Sequence, residues 1–308
     1  MIKTSNQTSS SLIIIVAILV SLQYVVVQSD RISQTRCAEY RAQSRDLAGG
    51  LNCSNTRTIL NGIELGAADA EPGEFPHQAM LGWNSGSSSE SIEFNCGGTL
   101  ISPLYVLTSA VCIRMPPQIV RLGATKLNET GPNQRDYEVD SWLKHPQHSY
   151  TRAYHDIALV KLKEPVQFTA FIKPACLGVN STDGDTDTSM LATGFGTVSW
   201  SGERNHQLRK TLLEFLPLQQ CEEAFGSSRR LKEGISQDQM CVGTFMDGSN
   251  SCQIDAGSPI QRVLDPDVCL YNVLGVDSLG SVCGLRHSPE IFTSVENHLD
   301  WIESVVWA

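Results

Sequence analysis

Three stretches of the chain hold the residue types from which nucleophilic chemistry is built. Residues 96–112 (CGGTLISPLYVLTSAVC) carry hydroxyls between two cysteines. Residues 155–162 (HDIALVKL) set Asp156 directly after His155, with His145 and His148 close upstream, and residues 252–259 (CQIDAGSP) place Asp255 and Ser258 in a short turn. A serine hydroxyl is a weak nucleophile until an adjacent base takes its proton, and that base needs a carboxylate to hold it in the right tautomer. Imidazoles and a carboxylate are at hand around Asp156, whereas no base is identifiable beside Ser258 or the later Ser278. Asp183, Asp185 and Asp187 lack the glycine and terminal glutamate of a calcium loop. The ten cysteines contain no CxxC pair, a poor match to a zinc module. No cofactor and no metal is implied.

The elements that must position these residues are short. Apolar runs at 78–83, 98–102, 105–110, 118–123, 137–145, 157–162, 190–197, 207–218, 239–243, 258–263, 271–278 and 290–294 are separated by turn residues, which predicts an all-β sandwich or barrel. Residues 163–189, with Pro165, Pro174 and a polar run from Ser181, read as a solvated connector between two halves of similar length. At the end of the chain Glu296, His298, Asp300 and Glu303 alternate with Val295, Leu299, Ile302 and Val306 at helical spacing. The expected architecture is two β-barrels and a C-terminal helix.

Composition agrees and sets the compartment. Of 308 residues, 41 % are hydrophobic and 18 % charged, with 24 Gly and 13 Pro, so a core punctuated by turns is expected and disorder or a collagen-like repeat is excluded. A net charge of −10 argues against nucleic-acid binding. An even number of cysteines suits a disulfide framework in an oxidising compartment. Lys3 followed by the apolar run from Leu12 reads as a signal peptide over 1–29, cleaved after Ser29. A membrane anchor is disfavoured because Ser21, Gln23 and Tyr24 interrupt a run shorter than the roughly 20 apolar residues of a span. Residues 30–58 are polar with Cys37 and Cys53, an appendage too small to bury a core alone.

Read together, the three stretches resemble the chymotrypsin-type serine protease family over about residues 59–308. The flanks at 73–77 (GEFPH), 174–176 (PAC) and 288–293 (SPEIFT) resemble its insect snake-like and clip-associated branch. The resemblance implies two antiparallel Greek-key β-barrels. It also implies a histidine where this chain has Val111 and a nucleophilic serine where it has Ala256, leaving Asp156 as the one triad position retained. A base and a nucleophile are both replaced by hydrocarbon, so the expectation is a pseudo-protease.

The same resemblance places Ile254 where a glycine normally donates its N–H to the oxyanion. A β-branched residue there disfavours positive φ and is expected to crowd an approaching carbonyl. Asn250 stands where relatives specific for Arg or Lys keep an aspartate, and Glu290 replaces a glycine at the pocket wall, its carboxylate either filling the pocket or facing water. Ser278 and Gly280 match the edge strand that pairs with substrate backbone. Asp255 matches the carboxylate that receives the amino terminus released on activation, or else keeps its loop folded by a permanent hydrogen bond. The activation sequence itself is imperfect at 57–62, so cleavage near Arg57 is left open.

Disulfides Cys96–Cys112, Cys221–Cys241 and Cys252–Cys283 are implied by the resemblance. Cys37, Cys53, Cys176 and Cys269 allow three pairings. Clip-associated relatives imply Cys53–Cys176, with Cys37–Cys269 remaining, although a full clip module would have six cysteines. Asn52, Asn128 and Asn180 lie in glycosylation tripeptides. The expected function is that of a secreted, non-catalytic binding or regulatory protein of an extracellular proteolytic cascade, with insect innate immunity as the analogy. Expected partners are cascade proteases, inhibitors or microbial surface ligands, with no nucleic acid and no membrane after signal cleavage. The alternatives are a hydrolase using Ser258 or Ser278, and a structural, salivary or venom component.

Overall fold

Short apolar runs broken by turns become fourteen strands in a computed structural model, whose described residues are 30–47, 53, 67–84, 92–179, 190–196, 205–244, 254–280 and 289–308. Helix α1 (Ile32–Leu47) and strand β1 (Ala67–Asp69) come first. The next six strands are β2 (Gln78–Asn84), β3 (Ile92–Leu100), β4 (Tyr105–Thr108), β5 (Ile119–Leu122), β6 (Arg135–Lys144) and β7 (Ala158–Leu162). They close into an antiparallel barrel in the order β2-β3-β4-β7-β6-β5. Strand β8 (Cys176–Leu177) leads to β9 (Met190–Gly194), β10 (Arg209–Phe215), helix α2 (Leu218–Phe225), β11 (Gln239–Thr244), β12 (Pro259–Asp265), β13 (Leu270–Gly280), β14 (Glu290–Ser294) and helix α3 (Leu299–Val306). Here β9-β10-β11-β14-β13-β12 pair in turn, and β12 returns to β9, closing a second barrel. Both barrels and the C-terminal helix answer the expected fold class.

Each barrel fills its own interior. Ala79, Leu81, Leu100, Val106, Val120, Leu122 and Val160 pack the first, and Met190, Ala192, Leu213, Val242, Ile260, Leu274 and Phe292 the second. A third cluster joins the halves. Ile101, Leu107 and Leu159 from the first barrel meet Val273 and Val276 from the second, and Leu299 and Ile302 of α3 cover them. Burying a side chain of this size is worth about 1.5–3 kcal/mol, so the seam where the barrels meet is a rigid place to mount a site.

The first part of the appendage is helical. Residues Ser33, Cys37, Tyr40 and Ser44 recur four, three and four positions apart on one face of α1, a helical period with no aliphatic residue in it, so that it is not an apolar stripe. Ser33 Oγ donates to Glu303 Oε1 on α3 at 2.6 Å.

Two expectations are corrected around that helix. The connector is not solvated throughout: Ile172, Lys173, Ala175, Cys176 and Leu177 are buried, because β8 adds in parallel to β13 and α1 lies beside it. Residues 180–189 lie outside the described residues. The pairing of Cys53 with Cys176 and Cys37 with Cys269 is also wrong. Cys37 is bonded to Cys176 and Cys53 to Cys269, with Cα separations of 5.0 and 5.5 Å. Cys37 reaches Cys176 because it lies on the packed face of α1. Cys53 is buried with Ala70, Phe75, Tyr271 and Cys269, and a bridge needs its Cα atoms within about 7 Å. Cys96–Cys112 and Cys221–Cys241 pair as implied. The expected bridge between Cys252 and Cys283, the signal peptide over 1–29 and the activation segment at 57–62 lie outside the described residues. Among the described residues no helix is long and apolar enough to cross a membrane.

Candidate functional site

The expected triad positions are mounted on three separate pieces of chain. After β4 a 3-10 turn, Ala110–Ile113, carries Val111. The loop between β6 and β7 carries Asp156, and the turn before β12 carries Ala256. Asp156 is fully buried and satisfied by the backbone and by β13: the Val111 N–H donates to Oδ1 at 3.0 Å and Ser278 Oγ donates to Oδ2 at 2.7 Å. Its main-chain carbonyl accepts from Thr293 Oγ1 at 3.0 Å. Arg230 supplies a counter-charge, with Nη2 3.4 Å from Oδ2. Burial pushes the Asp156 carboxyl pKa up, while the Ser278 bond, the His148 charge, the Val111 N–H and Arg230 pull it back.

The turn at 254–258 is tightly built. Gly257 has φ 84°, a conformation open to glycine and strained for other residues. A β-carbon there would also overlap Thr108 Oγ1 and the Gly97 carbonyl. The Gly257 N–H donates to Asp277 O at 2.9 Å, the Ser258 N–H to Asp255 O at 3.0 Å, and the Gly97 N–H to Ala256 O at 2.9 Å. Ala256 and Val111 both pack against the first-barrel core. A methyl and an isopropyl group stand where the resemblance implies a hydroxyl and an imidazole. Asp255 Oδ2 accepts the N–H groups of Phe195 and Gly196, each at 2.8 Å, so this carboxylate ties the turn to the end of β9.

The Ile254 side chain packs partly buried against the second-barrel core, near Gly194. Glu290 is 4 % exposed, which settles that it is buried and does not face water. It stands opposite Gly280 in the β13–β14 register, its Oε2 has no hydrogen-bond partner among the described residues, and burial raises its pKa to about 8. Asp277 is a second carboxylate in the same wall. Burial drives its pKa well up, and the charges of Glu290, Asp156 and Asp255 add to the effect.

Asp277 and Arg230 are the site residues that sequence reading missed. Asp277 left a signal, an acid inside the apolar strand YNVLGVDSLG. Arg230 left none, being 74 residues from Asp156. Ser278 is committed to Asp156, and Ser258 is fully buried with no hydrogen-bond partner for Oγ among the described residues. Among the described residues neither hydroxyl has an imidazole partner. Asn250, Asn52 and Asn180 lie outside the described residues, while Asn128 is exposed.

Comparison with known proteins gives a consistent result. The family model described as Trypsin matches residues 65–302. The chain is 36 % identical to serine protease snk of Drosophila melanogaster, over 91 % of this chain and 66 % of that protein. It is 29 % identical to serine protease Hayan of the same fly, over 91 % of this chain and 42 % of that protein. It is also 29 % identical to phenoloxidase-activating factor 3 of Holotrichia diomphalia, over 79 % of this chain and 72 % of that protein. The chain thus spans under two thirds of the length of the two fly proteins.

Proposed function

Because the chain belongs to the trypsin family of serine proteases, we propose that it is a non-catalytic member, a secreted protein that presents a protease-shaped surface to partners in an extracellular proteolytic cascade. One observation carries this reading. The buried Asp156 carboxylate meets the Val111 backbone N–H, Ser278 and Arg230, with an isopropyl group in place of an imidazole on residue 111 and a methyl group on residue 256. The carboxylate of such a triad orients and stabilises a base, and here residue 111 offers no base and residue 256 no hydroxyl. The cascade setting is argued from the relatives, one of which is named for phenoloxidase activation. Secretion is argued from the signal-like N-terminus and the disulfides.

Chemical silence is the test. A fluorophosphonate probe that labels activated serine nucleophiles should leave the purified chain unlabelled, both before and after limited proteolysis. Stoichiometric labelling that disappears on unfolding would overturn the proposal and identify a hydroxyl activated by a base other than the one implied by the resemblance.

A further inference from the structure

Close to Asp156, but outside the triad positions, three imidazoles converge from separate elements. His145 follows β6, His155 stands in the turn before β7, and His298 immediately precedes α3. Each offers a ring nitrogen within 4.8 Å of the other two. His155 Nδ1 lies 3.1 Å from His298 Nε2 and 3.3 Å from Asp238 Oδ2, a carboxylate just before β11. The His145 and His155 rings stack with centroids 4.9 Å apart, and His298 meets them edge-on at 5.0 and 5.3 Å.

We propose that His145, His155 and His298 form a zinc site, with the Asp238 carboxylate beside His155. Three neutral imidazoles are a donor set that suits Zn²⁺ and leaves a fourth position open. Tetrahedral zinc with bonds of about 2.0–2.1 Å sets its ligand atoms roughly 3.3–3.4 Å apart, close to the separation of His155 Nδ1 and His298 Nε2. The tautomer of His298 is already fixed for the task. Its Nδ1 lies 2.7 Å from the Ser294 carbonyl, so the N–H sits there and the Nε2 lone pair is directed at His155, the outer-shell arrangement that orients metal-bound histidines. Between His155 and His298 the ion takes the place of a proton on His155 Nδ1. A shift of the His145 ring closes the third contact.

Two features point to a site rather than to ordinary packing. His155 holds φ 49°, a strained conformation of the kind that persists at functional positions. The side chains of His155 and Asp238 remain 23 % and 29 % exposed, which leaves an entry path to nitrogens that are otherwise covered. A bound ion would fasten the β6–β7 loop of the first barrel to the strand entry and helix of the second.

Zinc itself is the probe. The full secreted chain, stripped with chelator, is titrated with Zn²⁺ by calorimetry, metal content is counted by mass spectrometry, and Co²⁺ is used as a spectroscopic substitute. One ion per chain, micromolar or tighter, with tetrahedral Co²⁺ bands and a raised Tm, is the expected result. His155→Asn is the main variant because asparagine tolerates the left-handed backbone, so the fold is kept while Zn²⁺ affinity should fall at least tenfold and the Co²⁺ bands vanish. His145→Asn should behave likewise, with near-ultraviolet circular dichroism confirming that both variants are folded. Absence of stoichiometric binding by the parent chain, or binding that survives both substitutions, overturns the proposal.

Discussion

Replacing Glu290 by glutamine should stabilise the protein, and by an amount that grows with pH. Glu290 is buried, one of its oxygens has no hydrogen-bond partner among the described residues, and its pKa stands at about 8 against an ordinary value of 4.5. The folded state therefore holds a proton on Glu290 that the unfolded chain releases, so stability is full below about pH 4.5 and is lost as pH rises toward 8. Between these limits the slope is about −1.4 kcal/mol per pH unit for this one group. At pH 5 the protonated Glu290 costs about 1 kcal/mol relative to the unfolded chain, and at pH 7 about 3 kcal/mol. Glu290→Gln keeps the shape of the protonated side chain and has no proton to lose. Its advantage over the parent should widen by about 2–3 kcal/mol between pH 5 and pH 7. Urea unfolding of the disulfide-intact chain, followed by tryptophan fluorescence at both pH values, measures the difference directly. Equal effects of the substitution at pH 5 and pH 7 would refute the reasoning, because they would mean that Glu290 is ionised and solvated or paired in the folded chain.

Two further outcomes follow from the same geometry. Introducing the side chains that the family resemblance implies, by Val111→His and Ala256→Ser, sets an imidazole beside a carboxylate that holds the 111 N–H and Ser278, but Ile254 stands where the resemblance implies an oxyanion glycine and Glu290 is a buried carboxyl. Loss of one oxyanion donor alone costs about 10²–10³ in rate, so the double variant should not measurably hydrolyse Arg or Lys peptide esters, and brisk turnover would show the site to be otherwise intact. Lys210 and Glu74 form a buried pair, Nζ to Oε1 at 2.8 Å with side chains 5 % and 2 % exposed. Lys210→Met should cost about 3–5 kcal/mol, read as a fall in the urea midpoint, and a loss under 1 kcal/mol would show that the pair is replaceable by apolar packing.

Much of the molecule was legible from local sequence. Strands such as β2, β7 and β14 announced themselves because alternating or continuous apolar runs between turn residues have few other ways to hide their side chains. Strand β8 was too short to be seen, and its burial depends on β13, which lies far along the chain. Helix α1 escaped because its packed face is Ser33, Cys37, Tyr40 and Ser44, and a face without aliphatic residues says little of burial until a partner surface is known. At the site, Val111 and Ala256 needed only their identities to be read. Glu290 was found as an anomaly, yet whether it filled the pocket or faced water could not be read from its own stretch of chain.

By itself, the sequence determined which functional groups exist: a carboxylate at 156, hydrocarbon at 111 and 256, ten cysteines and seven histidines. Identity is local information, carried by each residue wherever it is placed. Only the tertiary structure decided which groups meet. The Cys53–Cys269 bridge spans 216 residues of sequence, Arg230 reaches Asp156 across 74, and His155 meets His298 across 143. Spacing along the chain does not encode such contacts. They are fixed when two barrels close, because the register of each sheet and the packing at the barrel seam leave every side chain a single neighbourhood, and it is that neighbourhood which desolvates Glu290, pairs Asp156 with Ser278 and gathers three imidazoles at the end of α3.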